Sequence, residues 1–252
     1  MSRFLTGRTI VVAGSTSASG TAVVRVLTEA GALVVAVGIT AHRVRELAAT
    51  HDSVTGYVCD LADRESVDEL AGSVRAEVGP VDGLIHLVGG WRGGGGIHGQ
   101  TDEDWNFLHT SVLTTLRNTS RAFFDDLAAS PVGRLVIVSA ESAASPAVDG
   151  AAYAAVKSAA EAWTLAVADG FHRLQAGHQV TTVEQHSAAL VFVVKALVDD
   201  RMRAAHPERK FPGYTDVALL ADAVRDVFAR EARVINGRRL PLKAPRRPDA
   251  QF

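Results

Sequence analysis

Thr9-Ile10-Val11-Val12-Ala13-Gly14-Ser15-Thr16-Ser17-Ala18-Ser19-Gly20-Thr21 is the stretch from which the rest of the chain is read. Thr9–Ala13 is β-branched and apolar without alternation, the pattern of a strand buried on both faces. Gly14 ends it. From Thr21 the period changes, and Val23, Val24, Val26 and Leu27 share one face of a helix that stops at Gly31. Strand, glycine-containing turn and helix in that order open a β-α-β unit.

The same alternation continues outward. Leu33–Val37, Val54–Val58, Val81–Val88, Arg134–Ser139 and Ala188–Val194 read as further buried strands. Between them lie helices over Arg43–Thr50, from Asp63 through Val78, from Thr101 to about Ala128 and over Ala151–Arg173, then shorter ones at Arg201–Arg203 and Ala218–Arg230. Thr101 with Asp104 resembles a capping box. Val234–Leu242 reads as a short last strand. Near-continuous apolar strands alternating with amphipathic helices predict an α/β fold: a doubly wound, mostly parallel, Rossmann-like sheet of about seven strands with helices on both faces. No linker divides residues 1–252, which are expected to form one domain. Segment 195–214 is read as a substrate lid and 244–252 as a loose tail or subunit contact.

Hydrophobic residues make up 47% of the chain and charged residues 21%, ordinary globular usage that excludes disordered, collagen-like and coiled-coil chains. The net charge of −2 gives no reason to expect nucleic acid or an anionic membrane as partner. Apolar runs such as Ala188–Val194 are far shorter than the ~20 residues that span a bilayer. With no signal-peptide core at the N-terminus, a cytoplasmic setting is expected. Cys59 alone cannot make a disulfide framework or a Cys-rich zinc site. His178 and His186 bracket Val180–Val183 without a third ligand, so no metal is expected. No lysine precedes Lys157, which excludes a Walker-type phosphate loop in the N-terminal half.

Glycine in the turn after the first strand lets the backbone approach a pyrophosphate, and the following helix aims its free N–H groups and positive dipole end there. Its spacing is Gly-x3-Ala-x-Gly, with Ala18 where glycine is usual. Ala18 is tolerated if its φ is negative and strained if positive. Farther on, Tyr153 and Lys157 stand four apart on a helix and share a face, one strand–helix unit after Arg134–Ser139. Three tyrosines and the lysines at 157, 195, 210 and 243 would match Tyr-x3-Lys by accident only about 0.05 times in such a chain.

These motifs, in this order, make the chain similar to the short-chain dehydrogenase/reductase family in its single-domain branch. The family's Thr-Gly-x3-Gly-x-Gly corresponds to Ala13 through Gly20, its adenine-binding Asp to Asp60 beside Leu61, and its Asn-Asn-Ala-Gly to His86-Leu87-Val88-Gly89. Its Tyr-x3-Lys corresponds to Tyr153 through Lys157. The resemblance implies an NAD(P)-dependent oxidoreductase that interconverts an alcohol and a carbonyl on a small organic substrate. Tyr153 would be the general acid/base, with Lys157 lowering its pKa and holding the nicotinamide ribose. Cofactor contacts are expected from Gly14, Ser15, Thr16, Ala18, Ser19, Gly20, Asp60, Leu61, Val88 and Gly89, together with Tyr153 and Lys157. It also implies a homodimer or homotetramer assembled through the helices of Trp105–Phe124 and Tyr153–Phe171.

The pattern breaks in places. The family's substrate-positioning serine falls on Ala140, with Ser139 and Ser142 as candidates for its role. The asparagine of the long helix falls on Val112, with Ser111 adjacent, and Asn118 reads as a surface residue. The Pro-Gly after the sixth strand falls on Lys195-Ala196. These changes leave a non-redox protein, a nucleotide-binding regulator or another acid/base enzyme, as the alternative. The second strand ends Val37-Gly38-Ile39-Thr40 without the carboxylate that would repel a 2′-phosphate, which favours NADP over NAD as the cofactor. Trp91-Arg92 and the glycine run 93–96 are expected to help form a pocket that closes.

Overall fold

The computed structural model describes residues 3–176 and 184–243. His178, Val180–Val183 and the tail 244–252 lie outside the described residues.

Seven strands form one sheet, all pairs parallel, in the order β3-β2-β1-β4-β5-β6-β9. They are β1 (Thr9–Ala13), β2 (Leu33–Gly38), β3 (Val54–Val58), β4 (Gly83–His86), β5 (Arg134–Ala140), β6 (Ala188–Val194) and β9 (Arg239–Pro241). Helices α1 (Ala18–Glu29), α2 (Ala41–Ala48), α3 (Arg64–Glu77), α4 (Asp102–Leu108), α5 (Thr115–Ala129), α6 (Ala151–Ala176), α7 (Asp200–Ala205), α8 (Val217–Asp226) and α9 (Ala232–Ile235) connect them. A separate two-stranded ladder joins β7 (Leu197–Val198) to β8 (Thr215–Asp216).

Strand alternation divides the core in two. Val11 and Ala13 of β1 face a layer that includes Val67, Leu116, Phe123 and Phe171. Ile10 and Val12 face the other layer, with Val23, Leu27, Leu220 and Val224. The seven strands, the parallel pairing and the two helical layers are those predicted from the apolar runs.

Several elements differ from the sequence reading: β4 covers only Gly83–His86 of the expected Val81–Val88, and the β7–β8 ladder had no counterpart in it. The helix expected from Thr101 to Ala128 carries a π-helical turn over His109–Thr114, between α4 and α5. One widened turn of this kind leaves the apolar period almost intact, so it has no clear sequence signature. The strand expected over Val234–Leu242 is in part helical. Ala232 and Ile235 of α9 are buried, Gly237 turns the chain at φ 68°, and only Arg239–Pro241 pair with β6.

The turn after β1 is fixed by close backbone contacts. Gly14 and Ser15 both donate their N–H to the Val37 carbonyl, at 3.0 and 3.1 Å, and the buried Ser15 hydroxyl donates to the same oxygen. Ser17 caps α1 by accepting the Gly20 N–H at 3.0 Å. A Cβ on Gly20 would lie 2.3 Å from the Gly14 carbonyl oxygen, whereas one on Gly72 in α3 would meet nothing within 4 Å. Gly20→Ala should therefore destabilise the fold by about 2 kcal/mol or more, as expected of an unrelieved backbone clash. Gly72→Ala should stabilise it by roughly 0.5–1 kcal/mol by removing backbone freedom from the unfolded chain. Urea unfolding midpoints of the two variants check both signs.

Candidate active site

A cavity of about 840 Å³ opens at the carboxyl ends of the strands, where a doubly wound sheet leaves its crevice. It gathers side chains that lie far apart in sequence: Ser19 from the start of α1, Val88 and Gly89 after β4, Ser139 and Ser142 around the end of β5, and Tyr153 and Lys157 from α6. Lys195, Arg209 and Tyr214 close it from the segment after β6. Asp60 and Leu61 stand at the end of β3, outside this lining.

Lys157 is buried, and its Nζ donates to the Val138 carbonyl at 2.9 Å. It lies 5.7 Å from the centre of the Tyr153 ring. Burial pushes the ammonium down to about 8, while the carboxylate of Glu161 acts in the opposite direction. Burial pushes the Tyr153 phenol up from its ordinary value. In the protein alone the phenol is thus held protonated at neutral pH, and loss of water outweighs the help expected from the neighbouring ammonium. No hydrogen bond from a described residue engages the Tyr153 hydroxyl.

Glu161 stands one further turn along α6, so Tyr153, Lys157 and Glu161 form an i, i+4, i+8 row. Its Oε2 pairs with Arg239 of β9 at 2.9 Å, and its Oε1 is buried without a hydrogen-bond partner. Arg239 also donates to the Ala140 carbonyl at 3.2 Å. The sequence reading did not single out either residue; the four-residue spacing from Lys157 was the available signal for Glu161.

His86, at the end of β4, is buried between two threonines of α5, with Nε2 3.2 Å from Thr115 Oγ1 and Nδ1 3.2 Å from Thr119 Oγ1. Burial, reinforced by the charge of Lys157, pushes it down to about 3. A neutral imidazole carries one N–H, which a threonine oxygen can accept, while the hydroxyls themselves donate to helix carbonyls, Thr115 to Ser111 at 2.8 Å and Thr119 to Thr115 at 2.9 Å.

Ser139 and Ser142, the two candidates for holding the substrate oxygen, both border the cavity. Ser139 is buried and its Oγ has no hydrogen-bond partner, an uncommon state for a buried hydroxyl. Ala140, the next residue along β5, is buried outside the lining. Val112 occupies the middle of the π-helical turn near Lys157: a Cβ on Gly89 would lie 3.5 Å from Val112 Cγ2 and 3.7 Å from Lys157 Nζ. The adjacent Ser111 has a buried, unpartnered Oγ.

Asn118 is not a surface residue. It is buried, and its Nδ2 donates to the carbonyls of Leu61 at 3.1 Å and Ala62 at 3.0 Å. It ties α5 to the loop that carries Asp60 and Leu61. The reason for the misreading is physical: the loop from β3 folds over that face of α5 and supplies two acceptors that no helix-periodicity argument foresees. Asp60 itself accepts the Ala62 N–H at 2.9 Å and is exposed.

The turn from Gly14 to Gly20 brings its backbone close to the segment after β4, and Ser19 of the turn lines the cavity. Gly14 takes φ 81°, where L side chains are strained, and a Cβ there would approach the Leu87 carbonyl to 3.2 Å. Ala18 keeps a negative φ, so its extra methyl causes no backbone strain. Ser15 spends both its N–H and its hydroxyl on Val37, so it shapes the turn and offers no donor outward. Ile39, at the end of β2, is 70% exposed where an acidic side chain would exclude a 2′-phosphate. The glycine run 93–96 is tethered: Asp149 accepts the Gly94 N–H through its backbone carbonyl and the Gly96 N–H through Oδ1, and Gln100 donates to the carbonyls of Gly94 and Gly96.

Comparison with known proteins identifies the family and the fold. The family model described as short chain dehydrogenase matches residues 8–196. A 2,3-dihydro-2,3-dihydroxybenzoate dehydrogenase from Bacillus subtilis is 30% identical over 162 residues, covering 63% of this chain and 62% of that protein. The first three curated relatives are matched over only 52–62% of their own length. In fold, the chain is similar to an NAD+-bound xylitol dehydrogenase (TM-score 0.80, 16% identity, 95% of this chain and 98% of that one). It is likewise similar to a gluconate 5-dehydrogenase from Burkholderia cenocepacia in complex with NADP and tartrate (TM-score 0.79, 22% identity, 95% of each chain). Among the described residues, no helix is long and apolar enough to cross a membrane.

The buried His86 makes stability depend on pH. As pH falls through the ordinary value of 6.5, the unfolded chain takes up a proton at this position, while the folded chain refuses it down to about 3. The stabilisation is complete above 6.5 and is lost below it at about 1.4 kcal/mol per pH unit. Between pH 6 and pH 5 the unfolding free energy of the wild type should therefore drop by about 1 kcal/mol more than that of His86→Asn, measured by urea titration.

Proposed function

The chain belongs to the short-chain dehydrogenase family, and from that premise we propose that it is an NAD(P)-dependent oxidoreductase interconverting an alcohol and a carbonyl on a small organic substrate. One observation carries the reading. The unengaged hydroxyl of Tyr153, the buried ammonium of Lys157 and the unpartnered hydroxyl of Ser139 converge on a single cavity at the strand ends.

When bound, the nicotinamide nucleotide supplies the hydride acceptor or donor. The residues present fit such a group. The Gly14–Gly20 turn, with Thr16, Ala18 and Ser19 at the start of α1, would hold the pyrophosphate. Asp60 and Leu61 would hold the adenine, Val88 and Gly89 the adjoining ribose, and Lys157 the nicotinamide ribose. Ile39 leaves room for a 2′-phosphate, so NADP is the favoured partner over NAD.

Tyr153 gives its phenolic proton to the substrate oxygen during reduction and takes it back during oxidation. Burial keeps the phenol protonated at neutral pH, the form in which it must start to protonate the substrate oxygen. Lys157 stabilises the phenolate that forms, as long as it keeps its own proton. Ser139 holds the substrate oxygen, with Ser142 next to it on the cavity wall as the second candidate. The segment 195–214 is the lid, its ends joined by the β7–β8 ladder.

The departures behind a non-redox alternative are met locally: Ser139 stands beside Ala140, and Val112 packs against the Lys157 site without displacing it. The faces of α5 and α6 border a groove of about 400 Å³ with Phe124, Trp163 and Gly170 in its walls, which suits a homodimer or homotetramer contact. A cytoplasmic setting, where nicotinamide nucleotides are plentiful, suits this reading.

Tyr153→Phe should lower kcat for carbonyl reduction by on the order of a thousandfold, within the range for losing a general acid, and keep NADPH affinity within a few-fold. For the wild type, kcat/KM for reduction should be level from pH 6 to 7.5 and decline above about 8, as Lys157 loses its proton. Initial rates over a carbonyl panel, with NADPH and NADH binding followed by fluorescence, test both statements. A Tyr153→Phe enzyme as active as the wild type would end the proposal.

A further inference from the structure

We propose that the mouth of this pocket holds an anion subsite, formed by Lys195 and Arg209 around Tyr214, that selects a substrate carrying a carboxylate group. The inference rests on the oxidoreductase reading above and names the substrate class for the same pocket.

Lys195 leaves β6 directly into the cavity wall. Its Nζ donates to the Pro212 carbonyl at 3.1 Å and lies 5.9 Å from the centre of the Tyr214 ring. Arg209 lies 5.4 Å from the same ring centre and donates to the Tyr214 hydroxyl at 2.7 Å. Two positive charges are thus gathered on one aromatic ring. In this segment Arg203 pairs with Asp216 at 2.6 Å, whereas Arg201 and Lys210, which do not line the cavity, have no such partner among the described residues. Lys195 and Arg209 have no carboxylate partner among the described residues. An arriving anion meets two cations on the wall of the cavity that have no carboxylate of their own to pair with. The single acidic side chain in the lining, Asp149, already accepts the Gly96 N–H through Oδ1.

The turn that holds this arrangement is shaped for it. Phe211, which is buried, takes φ 46°, alone among the non-glycine residues described. Gly213 takes φ 76°, and a Cβ there would lie 3.3 Å from Lys195 Cδ. A non-glycine residue held in the left-handed region is costly and persists only where its surroundings impose it, which points toward a functional constraint. The β7–β8 ladder fixes the base of the segment, so the cations face the cavity from a braced turn. Tyr153 and Lys157 stand in the same cavity, and about 840 Å³ accommodates a substrate whose carbonyl lies at Tyr153 while its carboxylate reaches the mouth.

The test uses short-chain oxo-carboxylates, 4-oxopentanoate among them, each paired with its methyl ester, and kcat/KM with NADPH and NADH. Acids should exceed their esters by on the order of tenfold, the worth of a charge-assisted hydrogen bond, and the preference should shrink with added KCl. Lys195→Met and Arg209→Met should each reduce the acid-to-ester ratio by about threefold, and the double variant should bring it close to one. Both residues are exposed, and circular dichroism confirms that the variants fold. Esters reduced as well as acids overturn the proposal. So does a variant that weakens NADPH or NADH binding and keeps the acid preference, since its cation then serves a cofactor phosphate. If no probe is turned over, the oxidoreductase reading is the one that suffers, and calorimetric titration of 4-oxopentanoate and its ester into the protein with NADP+ still decides the subsite. Tighter binding of the acid supports it; equal affinities, or none for either, overturn it.

Discussion

The structure turns on one buried ammonium. Removing the Lys157 charge from water is expensive, and the described residues offer its Nζ a single hydrogen bond, to the Val138 carbonyl. The ladder between β4 and β5 ends at the pair His86 and Ile137, one residue short of Val138, while β6 continues alongside β5 to Val194 opposite Ala140. Beyond Ile137, β5 therefore has no β4 neighbour, and its carbonyl is available to a side chain from α6. The length of β4 thus determines where a cation can be kept at the strand ends, and α6 places Tyr153 one turn before it.

Much of this was legible in the amino-acid sequence. Fully buried parallel strands read as unbroken apolar runs, and glycine or proline marks their ends, so Ala188–Val194 matches β6 residue for residue. The row containing Tyr153 and Lys157 follows from helical spacing alone. What escaped the sequence depends on contacts between distant segments. Asn118 looks like a solvent-facing helix residue until the loop after β3 is laid over it. Glu161 and Arg239 come together from α6 and the last strand, and no local pattern links them. The conformation of Phe211 is a property of its surroundings, since phenylalanine has no preference for the left-handed region.

The positions where the chain departs from its family are accommodated by separate devices. Ala18 begins α1 at negative φ, and the capping hydroxyl comes from Ser17 one residue earlier. Ala140 gives its carbonyl to Arg239, while the unpartnered hydroxyl lies one step back at Ser139. Val112 fills apolar space in the π-helical turn and leaves Lys157 with a carbonyl and a carboxylate as its electrostatic support. Lys195 brings a charge to the pocket mouth where the family pattern has a rigid turn. Each change is local, which is why the architecture tolerates all of them together.

Desolvation is the leading influence on His86, Tyr153 and Lys157 alike, and it drives all three toward their neutral forms. Glu161 is the identified opposing influence on Lys157, and its strength depends on how much of its charge Arg239 neutralises. The Arg239 contact uses Oε2, whereas Oε1 stays buried and unpartnered. A carboxylate paired at one oxygen in a largely desolvated setting keeps a field directed at its neighbours. Arg239 belongs to β9, the edge strand of the sheet, and the same side chain holds the end of β5 through the Ala140 carbonyl. The carboxylate that opposes desolvation at Lys157 is therefore held by the edge strand of the sheet, outside the residues that line the cavity.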